Sequence, residues 1–254
     1  MPDLDDLLDE AAQRPMRGWD VHLDGRIDST PPWDFEAFVD AGLAGSPNLL
    51  DMGTGGGEWL SRRPFPKGRT LATEAWAPNV PVAAARLRPL GVSVVAVEGA
   101  PDNADQAAAT SLPALPFADG VFRFVTNRHE SFVAAEVARI LAPGGQFITQ
   151  QVASNFSAPM RALLGAPAPT PPHWSLAVAL DQVRAVGLDV VKADEGDAQV
   201  TFADVGALAW YLKHVPWVLP EFDLATFRPR LAALNDRGPI TVAQPHFWLL
   251  ARRA

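Results

Sequence analysis

The sequence predicts an α/β protein in which helices cover both faces of a mostly parallel sheet. From residue 48 onward, short apolar stretches alternate with segments of helical periodicity. Strands that are separated by helices pair in parallel through right-handed crossovers. Seven stretches have the character of strands, and 254 residues with 48% hydrophobic content suit a single domain. We therefore expect a three-layer, seven-stranded sheet with helical and loop elements that cap it.

The composition excludes several classes of protein. The chain has no cysteine, which excludes disulfides, thiolate zinc sites and cysteine nucleophiles. A formal net charge of -8 argues against a nucleic-acid partner, because such binding depends on cations that release counterions from phosphates. No apolar run approaches the length of a membrane span, and the N-terminus is acidic where a secretory signal would be basic. We expect a cytoplasmic protein with no membrane partner. The sequence does not predict its oligomeric state.

Residues 1–46 are predicted to form a helical cap segment. Leucines at helical spacing predict a helix over Leu4–Ala11. A polar, turn-rich stretch follows, and a second helix is expected over Asp34–Leu43.

Residues 47–152 carry the regular alternation of strands and helices. Asn79 is expected to cap the helix over residues 77–91, and Gly91 to end it. A second helix is predicted over Phe132–Leu141. The third strand is continuous in valine, as expected of a strand covered on both faces. The five predicted strands of this part are Asn48–Met52, Arg69–Glu74, Val92–Gly99, Gly120–Asn127 and Gln146–Val152.

Residues 153–254 are predicted to complete the same domain with a cap insertion and the last strands. A proline-rich stretch over residues 165–174 is expected to be an extended connection. The remaining predicted elements are helices over Ser175–Val186, Asp204–Trp217 and Leu224–Arg237, and strands over Leu188–Glu195 and Pro239–Arg252.

A glycine-rich loop after the first of these strands indicates a ligand site. A P-loop would end in Gly-Lys-Ser/Thr, whereas Glu58 and Trp59 follow Gly57. The dinucleotide fingerprint needs a third glycine at position 58, where the glutamate stands. Both phosphate-binding interpretations therefore fail. The stretch that remains to be explained is Asp51-Met52-Gly53-Thr54-Gly55-Gly56-Gly57.

This D-x-G-x-G-x-G run resembles motif I of class I S-adenosylmethionine (SAM)-dependent methyltransferases. Three further features of that family follow in its usual order: Glu74 at the end of the second strand, LPFADGVFRFV over Leu115–Val125, and ILAPGGQFI over Ile140–Ile148. The resemblance covers about residues 49–152 and implies a Rossmann-like sheet whose last strand is antiparallel. Arg123 departs from the family pattern, which usually has aspartate there.

The resemblance also implies a binding site for SAM and for its product, S-adenosylhomocysteine (SAH). Asp51 is expected to hold the methionine ammonium directly or through water, and Glu74 to accept hydrogen bonds from the ribose hydroxyls. The residue that recognises adenine is left open among Glu98, Asp102, Asn103 and Asp105. The full set expected to bind the cofactor is Asp51, Gly53, Thr54, Gly55, Glu74, Ala75, Trp76, Asn127 and Arg128.

The chemistry is expected at the end of the fourth strand, because ligands of open α/β sheets lie beyond the carboxyl ends of the strands. His129 or Glu130 could take a proton from a hydroxyl or a protonated amine. The alternative is that Arg128, His129 and Glu130 cap the following helix and pair with one another. No metal site is predicted, since the five histidines are scattered without ligand spacing.

We predict a SAM-dependent methyltransferase that acts on a small molecule. Cytosine C5 chemistry needs a cysteine, and Arg128 after Asn127 removes the Asn/Asp-Pro-Pro-aromatic motif of many exocyclic-amine methyltransferases. An RNA base methyltransferase and a non-catalytic SAM- or SAH-binding protein are the alternatives. A cap over a partly apolar acceptor is favoured by the aromatic residues of the flanks, which are Trp19, Trp33, Trp174, Trp210, Tyr211 and Trp217.

Overall fold

The centre of the molecule is one mixed β-sheet. The computed structural model describes residues 3–106, 111–169 and 174–254, and eight strands of these residues form the sheet. The strands are β1 (Ile27–Thr30), β2 (Leu49–Met52), β3 (Thr70–Glu74), β4 (Ser93–Ala96), β5 (Phe122–Arg128), β6 (Leu141–Val152), β7 (Leu188–Phe202) and β8 (Ile240–Arg253).

The strand order is β1-β7-β8-β6-β5-β2-β3-β4. Strands β2 to β6 pair in parallel, and β8 runs antiparallel between β6 and β7. The predicted fold class and antiparallel last strand are confirmed. The predicted number of seven strands is wrong, because β1 pairs antiparallel with Gln199–Phe202 at the far edge. Only Ile27 of its four residues is buried, so the sequence carries no alternating apolar pattern there.

Helices cover both faces of the sheet and confirm the three layers. Apolar residues of α2 and α3 pack on one face, and those of α4 and α6 pack on the other. The helices are α1 (Leu4–Gln13), α2 (Phe35–Leu43), α3 (Asn79–Leu87), α4 (Ala134–Ile140), α5 (Ala158–Leu163), α6 (Leu176–Ala185), α7 (Val205–His214) and α8 (Leu224–Asn235). No helix within the described ranges is long and apolar enough to span a membrane.

Two local predictions are wrong. Asn79 does not cap α3: the capping position is Pro78, and Asn79 is a buried residue of the helix itself. Strand β4 is not covered on both faces, because it forms the edge of the sheet and its residues are exposed or half-buried. The run of valines therefore predicted a strand correctly, but it did not predict that this strand lies at the edge of the sheet. The predicted proline-rich connection includes residues 170–173, which lie outside the described residues.

A cap lies beyond the carboxyl edge of the parallel strands. Strand β6 ends where Val152 pairs with His246, and the earlier residues of β8 pair only with β7. This two-stranded extension and β1 share a separate hydrophobic core with α1, α5, α7 and α8. Asp204 and Asp223 cap α7 and α8 by accepting hydrogen bonds from backbone N–H groups. We call this unit the cap; it stands over the edge at which α/β proteins bind ligands.

Candidate functional site

A cleft opens at the carboxyl ends of β2, β3, β4 and β5. It is partly open to solvent, and its lining includes Gly53, Ala75, Val97, Glu98, Leu115 and Glu130. Of the residues considered for adenine recognition, Glu98 lines the cleft. Asn103 is buried and accepts a hydrogen bond from the N–H of Phe132, while Asp102 and Asp105 are exposed.

The glycines of the loop over residues 53–57 allow close contacts that side chains would prevent. Gly53 has φ +68°, and a Cβ placed on it would lie 2.4 Å from Cβ of Glu130. Gly56 makes room for Glu58, since an added Cβ would lie 2.1 Å from the Glu58 Oε1. Glu58 thus turns back over the loop and pairs with Arg86 at 3.3 Å. A carboxylate that already lies on the loop leaves no place for a phosphate.

Glu74 joins the end of β3 to this loop. Its Oε2 accepts a 2.6 Å hydrogen bond from the N–H of Gly55, and its Oε1 accepts one of 2.8 Å from the N–H of Trp76. Burial raises the pKa of Glu74, and these backbone donors partly oppose the rise. Each carboxylate oxygen keeps a further lone pair for a ligand hydroxyl. The Trp76 side chain beside it is 66% exposed.

Asp51 is a buried acid at the end of β2. Its Oδ1 accepts a 2.8 Å hydrogen bond from the Thr126 hydroxyl of the neighbouring strand β5. Burial raises the pKa of Asp51 to about 6, although the Thr126 hydroxyl and the charge of Arg128 act in the opposite direction. A cationic ligand would stabilise the ionised form of this group.

Arg128, at the end of β5, lies on the same face of the sheet as Thr126, two residues away. Its guanidinium carbon is 5.1 Å from the centre of the Trp59 ring, in a cation–π contact. Within the described part of the chain Arg128 forms no ion pair, and its Nε is buried without a hydrogen-bond partner. The arginine is therefore available to an anionic group of a ligand.

Glu130 lines the cleft next to the glycine loop. Its side chain lies against Gly53, and burial together with the negative charge of Glu74 raises the pKa of Glu130 to about 7. Asp51, Glu74 and Glu130 all have raised pKa values. Asp51 and Glu130 each feel the negative charge of Glu74, so a cation bound near these three acids would favour their ionised forms.

His129 lies one residue before Glu130 and adopts a left-handed backbone conformation, with φ +56°. Its side chain is accessible, yet the surrounding protein desolvates the imidazole and lowers its pKa well below 6.5. Its Nε2 is 3.3 Å from Nε2 of Gln150, and its ring lies edge to face with His246 at 5.6 Å.

The other predicted binding residues lie beneath or beside the cleft. Asn127 is fully buried, and its Oδ1 accepts hydrogen bonds of 2.7 Å from Thr149 and from Gln151. Its Nδ2 has no partner in the described residues. Thr54 is buried as well, and its N–H donates to the carbonyl of Thr73. Asn127 is thus part of a polar network between β5 and β6 that supports the floor of the site.

Only part of the predicted aromatic cap faces the site. Trp174 and Trp210 are buried in hydrophobic cores. Trp19 and Trp217 are partly exposed and stack on each other, with ring centres 5.7 Å apart and planes at 8°. The Trp19 Cβ lies against Gly55, so this pair closes over the glycine loop.

Gln150 and His246 were not expected at the site. The indole N–H of Trp33 donates a 2.8 Å hydrogen bond to Oε1 of Gln150, which links the residue before α2 to the end of β6. His246 reaches the site only because β8 pairs with β6. No local sequence motif surrounds either residue, so their place at the site follows only from the long-range strand pairing. The described residues contain no group of three or more side chains that could hold a metal ion.

Comparison with known proteins identifies the fold. No family model matches the sequence, and no curated protein matches it significantly. A candidate methyltransferase from Bacillus halodurans C-125 superposes with a TM-score of 0.55 at 17% identity, covering 86% of this chain and 98% of that one. The YcgJ protein from Bacillus subtilis gives a TM-score of 0.54 at 17% identity, covering 86% of this chain and 97% of that one.

A third similar structure is described for the conversion of a disulfide bond into a thioacetal group during echinomycin biosynthesis. Its TM-score is 0.54 at 18% identity, covering 95% of this chain and 86% of that one. At 17–18% identity these proteins share the fold with the present chain. The chain has the Rossmann-like fold of the class I SAM-dependent methyltransferases.

Proposed function

We propose that this protein is a SAM-dependent methyltransferase that acts on a small molecule. SAM carries a sulfonium, an ammonium and a carboxylate, and when bound it supplies an electrophilic methyl group. The observation that carries the proposal is the arrangement of Asp51 and Arg128 on adjacent strands. Asp51 is a buried acid, and Arg128 forms no ion pair with the residues that the structure describes. The two side chains lie on one face of the sheet and fit the two charges of an amino-acid group.

The other residues of the cleft fit the rest of the cofactor. Glu74 would accept the ribose hydroxyls with its free lone pairs, and Ala75, Val97 and Leu115 give an apolar wall for the adenine. The exposed Trp76 would stack on the purine. The backbone of Gly53, Thr54 and Gly55 would run beneath the ligand. The three acids would complement the net positive charge of SAM.

The aromatic residues next to the glycine loop support a small acceptor. The cap and the stacked pair of Trp19 and Trp217 stand over the edge of the sheet, and they narrow the space above the glycine loop. Glu130 lines the cleft and His129 directly precedes it, and these two are the candidates to exchange a proton with the acceptor.

The proposal is tested by calorimetry with two ligands. SAH has the amino-acid group, and 5′-methylthioadenosine lacks it. Arg128→Gln is expected to weaken SAH binding by at least about tenfold, as loss of a charged hydrogen bond requires, and to leave methylthioadenosine binding unchanged. Arg161→Gln, which removes a cap arginine paired with Glu221, is the matched control. Equal losses for both ligands, or no SAH binding by the unaltered protein, would refute the assignment.

A further inference from the structure

A carboxylate of α2 lies near Arg128 without pairing with it. Burial lowers the pKa of Arg128, and the negative charges of Asp51 and Glu36 partly oppose that change. Glu36 lies in the first turn of α2, and its side chain is 48% exposed. Arg128 nevertheless forms no ion pair with the part of the chain that the structure describes. An acid so placed would compete with any anionic ligand for the arginine.

Arg63 holds this acid and a second one of the same helix. Its Nη2 lies 2.6 Å from Oε2 of Glu36, and its Nη1 donates a 3.3 Å hydrogen bond to Oδ2 of Asp40. Glu36 and Asp40 are four residues apart, so they lie on one face of α2 and a single guanidinium reaches both. The Arg63 side chain is only 10% exposed, which shields the pairs from solvent. Glu36 is therefore engaged on the side of Arg63.

Trp59 connects the two arginines. The guanidinium carbon of Arg63 lies 5.6 Å from the centre of the Trp59 ring, and that of Arg128 lies 5.1 Å from it. The ring is 9% exposed and packs against Phe35, the first residue of α2, with ring centres 6.4 Å apart. A cation–π contact attracts a guanidinium without using its N–H groups. Trp59 therefore fixes Arg128 and leaves its donors free for a ligand.

The other charges near Arg128 favour an added anion. The positive charges of Arg62 and Arg63 lower the pKa of Arg128 further, so the three guanidinium groups repel one another. The Nε of Arg63 and the Nε of Arg128 are both buried, and neither has a hydrogen-bond partner among the described residues. An anion that binds at Arg128 would relieve the repulsion and would meet donors that are not yet used.

We infer that Arg63 is a positioning residue for cofactor binding: by holding Glu36, it keeps Arg128 free for the carboxylate of SAM. The inference rests on the proposed function. Trp59 complements Arg63, since it holds the Arg128 guanidinium in place while Arg63 holds the competing acid. In the absence of Arg63, Glu36 turns to Arg128, and the cofactor carboxylate has to displace it. Arg63 thus acts through Arg128 and is not a catalytic residue.

Replacement of Arg63 by glutamine tests the inference by calorimetry with SAH and 5′-methylthioadenosine. SAH affinity is expected to fall about fivefold, which is the competition that one half-exposed ion pair exerts. Affinity for methylthioadenosine, which has no carboxylate, is expected to change less than about twofold. The variant is expected to fold, because the side chains of Glu36 and Asp40 are 48% and 38% exposed and water replaces their partner.

Two double variants separate competition by Glu36 from a general effect of charge. Arg63→Gln with Glu36→Gln is expected to bind SAH within about twofold of the unaltered protein, because the competing acid is gone. Arg63→Gln with Asp40→Asn is the matched control. It removes the same charge from the other partner of Arg63, but Asp40 is not among the main charges that act on Arg128. This control is expected to keep the weak SAH binding of Arg63→Gln.

The part played by Trp59 is measured in the same way. Trp59→Leu removes the aromatic face, whereas Trp59→Phe keeps a weaker one. SAH affinity is expected to be lower in the leucine variant than in the phenylalanine variant, and methylthioadenosine affinity is expected to be equal in the two. Equal SAH affinities would show that the ring does not hold Arg128.

The outcomes distinguish this inference from the proposed function. The inference alone is overturned if Arg63→Gln binds SAH as the unaltered protein does, or if it loses affinity equally for both ligands. It is also overturned if both double variants recover SAH binding or if neither does. Failure of the unaltered protein to bind SAH would refute the proposed function and the inference together.

Discussion

The N–H of Gly55 donates a 2.6 Å hydrogen bond to Oε2 of Glu74. This contact joins the glycine loop after β2 to the acid at the end of β3, so the two parts of the proposed cofactor site hold each other in place. The same carboxylate accepts the N–H of Trp76, which fixes the start of the segment that follows β3. One side chain therefore positions both the loop beneath the ligand and the aromatic residue beside it.

Replacement of Glu74 by glutamine is expected to weaken SAH binding by at least about tenfold. An amide offers one acceptor oxygen where the carboxylate offers two, so one of the two backbone N–H groups loses its partner. Calorimetry measures the affinity. Glu221→Gln, which removes an exposed partner of Arg161, should leave it unchanged. Equal SAH affinity of Glu74→Gln and the unaltered protein would contradict this role.

Replacement of Asp51 by asparagine is expected to stabilise the free protein at pH 8 while it weakens SAM binding. The pKa of Asp51 is raised from 3.8 to about 6 by burial, so its ionised form opposes folding. A carboxyl group with a raised pKa binds more protons in the folded state than in the unfolded state. Its ionisation therefore lowers the free energy of unfolding as the pH rises from about 4 to about 6. The penalty at pH 8 is of the order of 3 kcal/mol.

Urea unfolding of both proteins at pH 8 and pH 4.5 measures this effect. The advantage of Asp51→Asn should be largest at pH 8 and should shrink at pH 4.5, where Asp51 is mostly protonated in the folded protein. If the stability advantage of Asp51→Asn over the unaltered protein were larger at pH 4.5 than at pH 8, the raised pKa of Asp51 would be contradicted.

Replacement of Gly53 by alanine is expected to destabilise the protein more than the same change at Gly25. Both glycines have positive φ, +68° and +82°, so both variants carry the backbone strain of alanine in that region. Only at Gly53 does the new Cβ meet another group, the Glu130 side chain at 2.4 Å, whereas nothing lies within 4 Å at Gly25. The excess loss, expected at about 1–3 kcal/mol from urea unfolding, isolates the contact between the glycine loop and Glu130. Equal losses at the two positions would show that Glu130 does not lie on the loop.

The parallel core was predictable from sequence because its signals are local. Short apolar runs that alternate with helical periodicity place β2 to β6, and the acids Asp51 and Glu74 at the ends of β2 and β3 mark the edge of the candidate site. Strand β1 was missed because a single buried residue, Ile27, gives no pattern. Its strand character comes from pairing with residues 199–202 of β7, which lie far away in the sequence.

The same limit applies to the contact between His129 and His246. His129 follows a recognisable strand, so its place at the edge of the sheet was predictable. His246 lies in the last strand, and nothing near it in the sequence indicates a site. The contact between them depends on β8 pairing with β6, which no local pattern encodes.

The measurement that tests the central claim most directly is calorimetric titration of SAM into the unaltered protein and into Asp51→Ala. The account predicts saturable binding at one site in the unaltered protein, and a loss of at least about tenfold in Asp51→Ala, because the buried acid is the expected partner of the ammonium. The far-UV spectrum and unfolding midpoint of the variant serve to show that it is folded. No binding by the unaltered protein, or equal affinity in the two folded proteins, would contradict the assignment of this site to SAM.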